Sequence, residues 1–143
     1  MKAESYMSTA LKLYAEAVRS YFVRELTRVH GSGRGWVEAY LGSLSESRRA
    51  LVLEDMKRGR TAEEVLDINH FKDILLGQRE VFREAFGRSY NRAVTWADEI
   101  SEVRNAWAHQ QQLPEEDVNR TLDTIARFLR LIGAEDSATE VRK

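Results

Sequence analysis

The feature that most constrains the fold of this chain is a run of apolar residues at helical spacing near its start. The run recurs at steps of three or four positions and comprises Met7, Leu11, Tyr14, Val18, Phe22, Leu26 and Val29. This period places all of them on one face of an α-helix, and a helix of this kind must bury that face against other elements. We therefore predict a long amphipathic helix that ends near His30.

The sequence HGSGRG (residues 30–35) follows this helix and contains three glycines. A glycine-rich phosphate loop follows a strand and opens a helix with GxGxxG or GxxxxGK spacing, whereas this stretch follows a helix and has GxGxG spacing. Glycine is also the residue that most often ends a helix. We interpret the stretch as a helix end followed by a turn.

Further apolar stripes predict more helices along the rest of the chain. We expect short helices around residues 36–41 and 45–57, and a helical turn that begins at the capping box of Thr61 and Glu64. Longer stripes occupy residues 71–86, which contain Gly77, and residues 93–107, and another follows Pro114 over residues 118–132. No segment alternates with a period of two, so strands are not expected. The predicted fold is an all-α bundle with three or four long helices and short helices inserted after the first.

Length and composition limit the class of protein. A chain of 143 residues can bury one core, and the absence of cysteine excludes disulfides and thiolate metal sites. No apolar run approaches the roughly 20 residues that a membrane-spanning helix needs, so we expect a cytoplasmic protein. The formal net charge of −1 means that contacts with phosphate must come from local clusters. The last residues, EDSATEVRK, carry no obvious end signal, and we expect a single domain at the front of a longer protein.

The stretch RNAWAH (residues 104–109) combines three residues that can do chemistry: Arg104, Asn105 and His109. The Arg–His pair alone is weak evidence, because seventeen arginines would bring one close to a histidine by chance. Its context adds weight, since we expect Val103 and Trp107 to tie the segment into the core.

The helical position of these residues raises a geometric difficulty. We expect Pro114 to end the helix that carries the motif. At 100° per residue, Arg104 and His109 lie about 140° apart around an ideal helix, whereas Asn105 and His109 lie about 40° apart. A last turn that tightens or unwinds would swing His109 towards the arginine.

Four stretches together resemble the HEPN superfamily (higher eukaryotes and prokaryotes nucleotide-binding domains), and within it the Swt-type subgroup. They are DINHFKDIL (residues 67–75), VFREAFG (residues 81–87), WADEISEVRNAWAHQQ (residues 96–111) and DVNRTLDTIARFLRLIG (residues 117–133). The similarity is close over about half of the chain and follows only the helix pattern over the first half. It implies a HEPN-like up-and-down helical bundle.

The resemblance also implies a function. HEPN nucleases cut RNA as dimers without a metal or other cofactor, and the motif helices of two copies meet at a shared cleft. His109 would be the general base or acid, Arg104 would hold the scissile phosphate, and Asn105 would orient one of them. The 2′-hydroxyl would attack to give a 2′,3′-cyclic phosphate. The Swt-type subgroup further implies an attached ATPase or helicase region in a defence or RNA-quality-control system.

Other interpretations of these residues stay open. Arg104 can pair with Asp98, Glu99 or Glu102 on its own helix, and a histidine in a last turn is favoured by the helix dipole. The chain would then be a non-catalytic HEPN module for dimerisation or RNA sensing, or a purely structural bundle.

The remaining candidate residues favour structural roles. We predict such roles for His30 and His70, and an N-cap for Asp67 rather than a metal ligand. We expect core positions for Trp36, Trp96 and Trp107.

Overall fold

The computed structural model describes residues 2–109 and 112–142, with side chains from Tyr6 onward. The helices are α1 (Lys2–His30), α2 (Arg34–Ser43), α3 (Glu46–Lys57), α4 (Ala62–Val65), α5 (Ile68–Gly77), α6 (Arg79–Phe86), α7 (Tyr90–Ala108), α8 (Glu115–Leu131) and α9 (Glu135–Val141), with a 3₁₀ turn at Gly87–Ser89. No strand occurs among these residues, which confirms the predicted all-α fold. None of the helices described has the length and apolarity that crossing a bilayer requires.

The single long helix predicted for residues 71–86 is wrong, because the chain breaks there into α5 and α6. Gln78 leaves the helical conformation with φ −112° and ψ 45°. Gly77, just before it, packs so closely on α2 that an added Cβ would lie 2.7 Å from the Ser43 Cβ. The glycine therefore serves the contact between α2 and α5, and the break after it ends the helix that the apolar period alone would continue.

The chain forms two compact units, and α1 and α7 contribute residues to both. Unit 1 comprises residues 1–18 and 95–143, and unit 2 comprises residues 19–94. In unit 1, α8 supplies more of the buried hydrophobic residues than any other helix, namely Val118, Leu122, Ile125, Ala126, Phe128 and Leu129. The Tyr14 ring of α1 meets the Phe128 ring edge-on, with centroids 5.4 Å apart. These contacts hold the first helix of the unit against α8.

The core of unit 2 is built around aromatic rings. The Phe22 ring lies 5.3 Å from the Phe71 ring and 4.7 Å from the Phe82 ring, centroid to centroid. The Tyr90 hydroxyl donates a buried hydrogen bond of 2.7 Å to the Leu75 carbonyl oxygen. The rings of α1, α5 and α6 thus share one core, to which Tyr90 at the start of α7 is tied.

The glycine stretch after α1 is a helix end and a turn, as the sequence predicts. Gly31 has φ 92°, and its N–H donates to the Thr27 carbonyl oxygen at 2.8 Å. A Cβ on Gly35 would overlap the His30 carbonyl oxygen. Glycine is required here for both the left-handed cap and the close approach of α2 to the end of α1.

The capping box predicted at Thr61 is confirmed at the start of α4. The Thr61 hydroxyl accepts from the Glu64 N–H at 3.1 Å, and the Glu64 carboxylate accepts from the Thr61 N–H at 2.9 Å. The bond from the Thr61 N–H lowers the pKa of the Glu64 carboxyl, because it stabilises the charged form.

Candidate active site

Helix α7 carries the motif residues at its C-terminal end. Its earlier part is fixed by Tyr90, Ala93, Ala97 and Ile100, which are all buried and recur at helical spacing. After Ile100 no residue up to position 109 is buried. The motif therefore lies on the last turns of the helix, where none of the side chains described is fully buried.

The predicted core positions at this end of α7 need correction. Val103 and Trp107 continue the apolar stripe of Ile100, but both are only half-buried, and Trp96 is half-buried as well. Trp36 is buried, as predicted. The stripe in the sequence extends beyond the part of α7 that packs into the core.

The end of α7 keeps helical geometry as far as His109. The His109 N–H donates to the Asn105 carbonyl oxygen at 3.1 Å, four residues back, although the helix itself ends at Ala108. The helix therefore neither tightens nor unwinds between Asn105 and His109. Asn105 and His109 share one face, whereas Arg104 and His109 stay about 140° apart around the helix axis.

Pro114 begins α8 and does not end α7, contrary to expectation. It is the N-cap of α8, and its carbonyl oxygen accepts from the N–H groups of Asp117 at 3.0 Å and Val118 at 3.1 Å. A proline is favourable at a helix start because no intrahelical partner is needed for its missing N–H. Gln110 and Gln111, the last two residues of the stretch WADEISEVRNAWAHQQ (residues 96–111), lie outside the described residues.

The three motif residues differ in exposure. Arg104 and Asn105 are half-buried and His109 is exposed. An exposed imidazole can exchange a proton with a bound molecule, and a guanidinium offers a planar set of donors to a phosphate. The fold brings Asn105 and His109 together on one helix face, but it does not bring Arg104 to His109 within one copy of the helix.

A family model for Swt1-like HEPN domains matches residues 9–133, which include the motif and parts of both units. The chain belongs to the Swt1-like HEPN family. The match confirms the resemblance that the sequence carries and extends it into α1. The HEPN domain matches no curated protein and no solved structure. Membership of the family supports an RNA-related module.

An acidic groove of about 360 Å³ lies beside the motif of this HEPN domain, between α7 and α8. Its charged lining residues are Glu99, Glu102, Asp117 and Arg120. Three carboxylates against one guanidinium disfavour a phosphate chain in this groove. The groove was not predicted from the sequence, although the spacing of Glu99 and Glu102 places both carboxylates on one side of α7.

The other two histidines of the HEPN domain serve its structure, as predicted. The His70 Nδ1 atom accepts from the Asp67 N–H at 3.1 Å and lies 2.9 Å from the Tyr40 hydroxyl, while Asp67 is the N-cap of α5. Because Nδ1 already accepts from a main-chain N–H, the ring is neutral there and the tyrosine donates to it. Burial raises the pKa of Tyr40, which keeps its hydroxyl a donor. His30 lies at the end of α1 with its Nε2 atom 2.6 Å from the Gln78 Oε1 atom.

The described part of the HEPN domain contains no cluster of three or more histidine, aspartate or glutamate side chains that could hold a metal ion.

Proposed function

We propose that this HEPN domain is a metal-independent endoribonuclease that acts as a homodimer. One observation carries the proposal: the residues Arg104, Asn105 and His109 stand on the end of α7 beyond its last buried residue, in a chain that matches the family over residues 9–133. The substrate is RNA, because the reaction uses the ribose 2′-hydroxyl as nucleophile.

His109 moves the protons in the proposed reaction. Its imidazole takes the proton from the 2′-hydroxyl, the 2′-oxygen forms a bond to phosphorus, and the bond from phosphorus to the 5′-oxygen breaks. The protonated imidazole then gives a proton to the leaving 5′-oxygen. The products are a 2′,3′-cyclic phosphate and a 5′-hydroxyl, and DNA is inert because it lacks the nucleophile. An imidazole ring has one nitrogen that can accept a proton and one that can donate a proton, so it suits both proton transfers.

Arg104 binds the scissile phosphate and offsets the charge that develops on it. The planar guanidinium can donate two parallel hydrogen bonds to phosphate oxygens. Asn105 lies on the same face as His109 and orients it or the phosphate.

The helix geometry supports a site that is shared between two copies. Because Arg104 and His109 point about 140° apart on one helix, the arginine that faces a given histidine comes more directly from a second helix. In a twofold dimer each contact is made twice, so two such sites or one joint cleft result. The second α7 would pack on the part of this helix that carries Arg104, Asn105 and His109, which lies beyond Ile100, its last buried residue.

The charge distribution favours a second candidate function, a non-catalytic module for dimerisation or RNA sensing. Unit 1, which carries the motif, has eight basic and twelve acidic residues and therefore a net charge of −4. A free-standing nuclease gains affinity from basic residues around its site. In this alternative the module serves an ATPase or helicase region of the same parent chain, in a defence or RNA-quality-control system of the cytoplasm.

Cleavage of RNA in EDTA tests the proposal. Single-stranded RNA is incubated at micromolar protein with the wild type, with His109→Ala, and with His30→Ala as a matched control at another exposed histidine. The wild type and the control should produce fragments with 2′,3′-cyclic phosphate ends, and His109→Ala should not. If neither the wild type nor the variants cut RNA, the endoribonuclease proposal fails and the non-catalytic module is favoured. Light scattering should show a dimer, and a strict monomer would contradict the shared site.

A further inference from the structure

The basic charge of unit 2 is concentrated on two segments. The unit holds fourteen basic and eleven acidic residues, a net charge of +3. Residues 21–30 and 79–92 together hold six arginines and three glutamates, which is also +3. The rest of the unit has eight residues of each sign. All of the excess positive charge therefore lies on the end of α1 and on α6 with the start of α7.

These two segments are joined by stacked rings. The Tyr21 ring of α1 stacks on the Phe86 ring of α6, with centroids 5.7 Å apart and planes at 24°. The guanidinium carbon of Arg24 lies 5.5 Å from the centroid of the Tyr21 ring. The guanidinium carbon of Arg83, one turn before Phe86, lies 5.4 Å from the centroid of the Tyr90 ring. The rings thus hold two arginines on one continuous region of unit 2.

We call this region the basic–aromatic surface. Its members are Tyr21, Arg24, Arg28, Arg79, Arg83, Arg88 and Arg92. The six arginines are exposed and Tyr21 is half-buried. Arg28 pairs with Glu25 at 3.1 Å, and an exposed pair of this kind is weak and screened by salt.

Three arginines elsewhere in unit 2 make hydrogen bonds or ion pairs that stabilise the fold. Arg19 donates to the Leu66 carbonyl oxygen at 2.9 Å, Arg49 donates to the Leu41 carbonyl oxygen at 2.9 Å, and Arg48 pairs with Asp73 at 2.9 Å. Within the residues that the structure describes, Arg24 and Arg83 make only their ring contacts. A guanidinium that lies over a ring keeps its N–H groups directed outward in its own plane, where they can donate to phosphate oxygens.

We infer that the basic–aromatic surface binds single-stranded RNA. Arg24, Arg83, Arg88 and Arg92 contact phosphates of the strand, and the Tyr21 ring, stacked on Phe86, holds the Arg24 guanidinium in place. Proteins bind single strands without sequence preference through positively charged surfaces that follow the phosphate backbone. The inference rests on the proposed function, because that function identifies RNA as the polyanion that this surface binds. It adds a binding surface outside the motif, which unit 1, with its charge of −4, does not supply.

Binding of labelled RNA in the His109→Ala background tests this surface, because the RNA stays intact. Fluorescence polarisation is measured with a single strand of about 12 nucleotides at several salt concentrations. The double substitution Arg24→Gln with Arg83→Gln is compared with Arg34→Gln and Arg58→Gln, which removes the same charge from exposed positions elsewhere in unit 2. The Arg24→Gln with Arg83→Gln variant should bind RNA about tenfold more weakly. The slope of log affinity against log salt concentration should fall in magnitude by about 1.4, since each phosphate contact on a single strand contributes about 0.7. The Arg34→Gln with Arg58→Gln variant should change the affinity less than about twofold.

Further arms separate the alternatives. Tyr21→Leu should weaken RNA binding, because it removes the ring that holds the Arg24 guanidinium, and its melting temperature reports whether the fold is kept. Equal losses in the two double variants would overturn the inference, and so would equally tight binding of polyglutamate. If the wild type binds RNA in this way but does not cut it, the proposed function fails and the surface stands. The double variant Arg24→Gln with Arg83→Gln is also made with His109 left unsubstituted. If that variant cuts RNA with an unchanged KM, the inferred binding surface is wrong and the proposed nuclease function stands.

Discussion

His70 and His109 have the same side chain but are used by the fold in opposite ways. His70, in the first turn of α5, accepts a hydrogen bond from a main-chain N–H at Nδ1 and has the Tyr40 hydroxyl 2.9 Å away from that atom. His109 follows the last residue of α7, is exposed, and is held only through its main-chain N–H among the residues described. The difference separates a histidine that stabilises structure from one that is available for proton transfer.

The arginines of unit 2 extend this comparison. Arg19 and Arg49 donate to main-chain carbonyl oxygens and so hold helices together, whereas Arg24 and Arg83 lie over the rings of Tyr21 and Tyr90. In both residue types, the bonds that a side chain already makes within the chain tell more about its role than its sequence position does.

The largest expected effect is on catalysis at His109. His109→Ala should lower the rate of RNA cleavage by about 10²–10⁴-fold, the usual contribution of a general acid or base. The free energy of unfolding should change by less than about 0.5 kcal/mol, because the side chain is exposed. Cleavage assays and urea unfolding of the same preparation measure both. A loss of activity that follows a loss of folded protein would remove the contrast with His70.

Arg104→Lys should have the next largest effect. Lysine keeps the charge but lacks the planar set of donors, so we expect cleavage to fall by about 10–100-fold. Arg120→Lys, on the wall of the acidic groove, is a matched control that should leave the rate unchanged. Wild-type rates for Arg104→Lys would show that only charge is needed at this position.

His70 should affect stability rather than chemistry. His70→Leu leaves the Asp67 N–H and the Tyr40 hydroxyl without their acceptor, and we expect a loss of about 1–3 kcal/mol in the free energy of unfolding. His70→Asn places an acceptor oxygen near the former Nδ1 atom and should lose less. Denaturant unfolding measures both variants. Equal losses would mean that packing, and not the hydrogen bonds, accounts for the role of this ring.

The smallest expected effect is the pH dependence of the capping box at α4. The pKa of Glu64 is lowered below its ordinary value of 4.5, so its charged form stabilises the folded state above that pH, and this contribution is lost as the pH falls through the lowered pKa. Wild type should exceed Glu64→Gln in stability at neutral pH, and the difference should disappear in acid. Thermal melts between neutral and acidic pH measure it. The same pH trend in Glu63→Gln, at an exposed neighbour, would contradict this assignment.

The sequence predicted the elements of this fold better than their ends. Helical period and caps identified α1, α4 and α8, since these signals are local. The break after Gly77 was missed because its cause is the close contact with Ser43, 34 positions earlier in the chain. Pro114 was assigned to the wrong helix, because a proline fits both the end of one helix and the start of the next.

The candidate site was located by the sequence but its surroundings were not. The motif and the family resemblance singled out Arg104, Asn105 and His109. The period of Ile100, Val103 and Trp107 is continuous, so it could not reveal that burial stops at Ile100. The contact between Tyr21 and Phe86 follows from the packing of α1 on α6, which leaves no local signal in the sequence.

Mixing two inactive variants tests the shared site most directly. Arg104→Ala and His109→Ala are each expected to be inactive, and an equal mixture that exchanges subunits forms mixed dimers in half of the molecules. If His109 of one copy works with Arg104 of the other, each mixed dimer regains one of its two sites, and the mixture should show about a quarter of wild-type cleavage. No recovery, with subunit exchange demonstrated by differently labelled copies, would contradict a site built from two copies of α7.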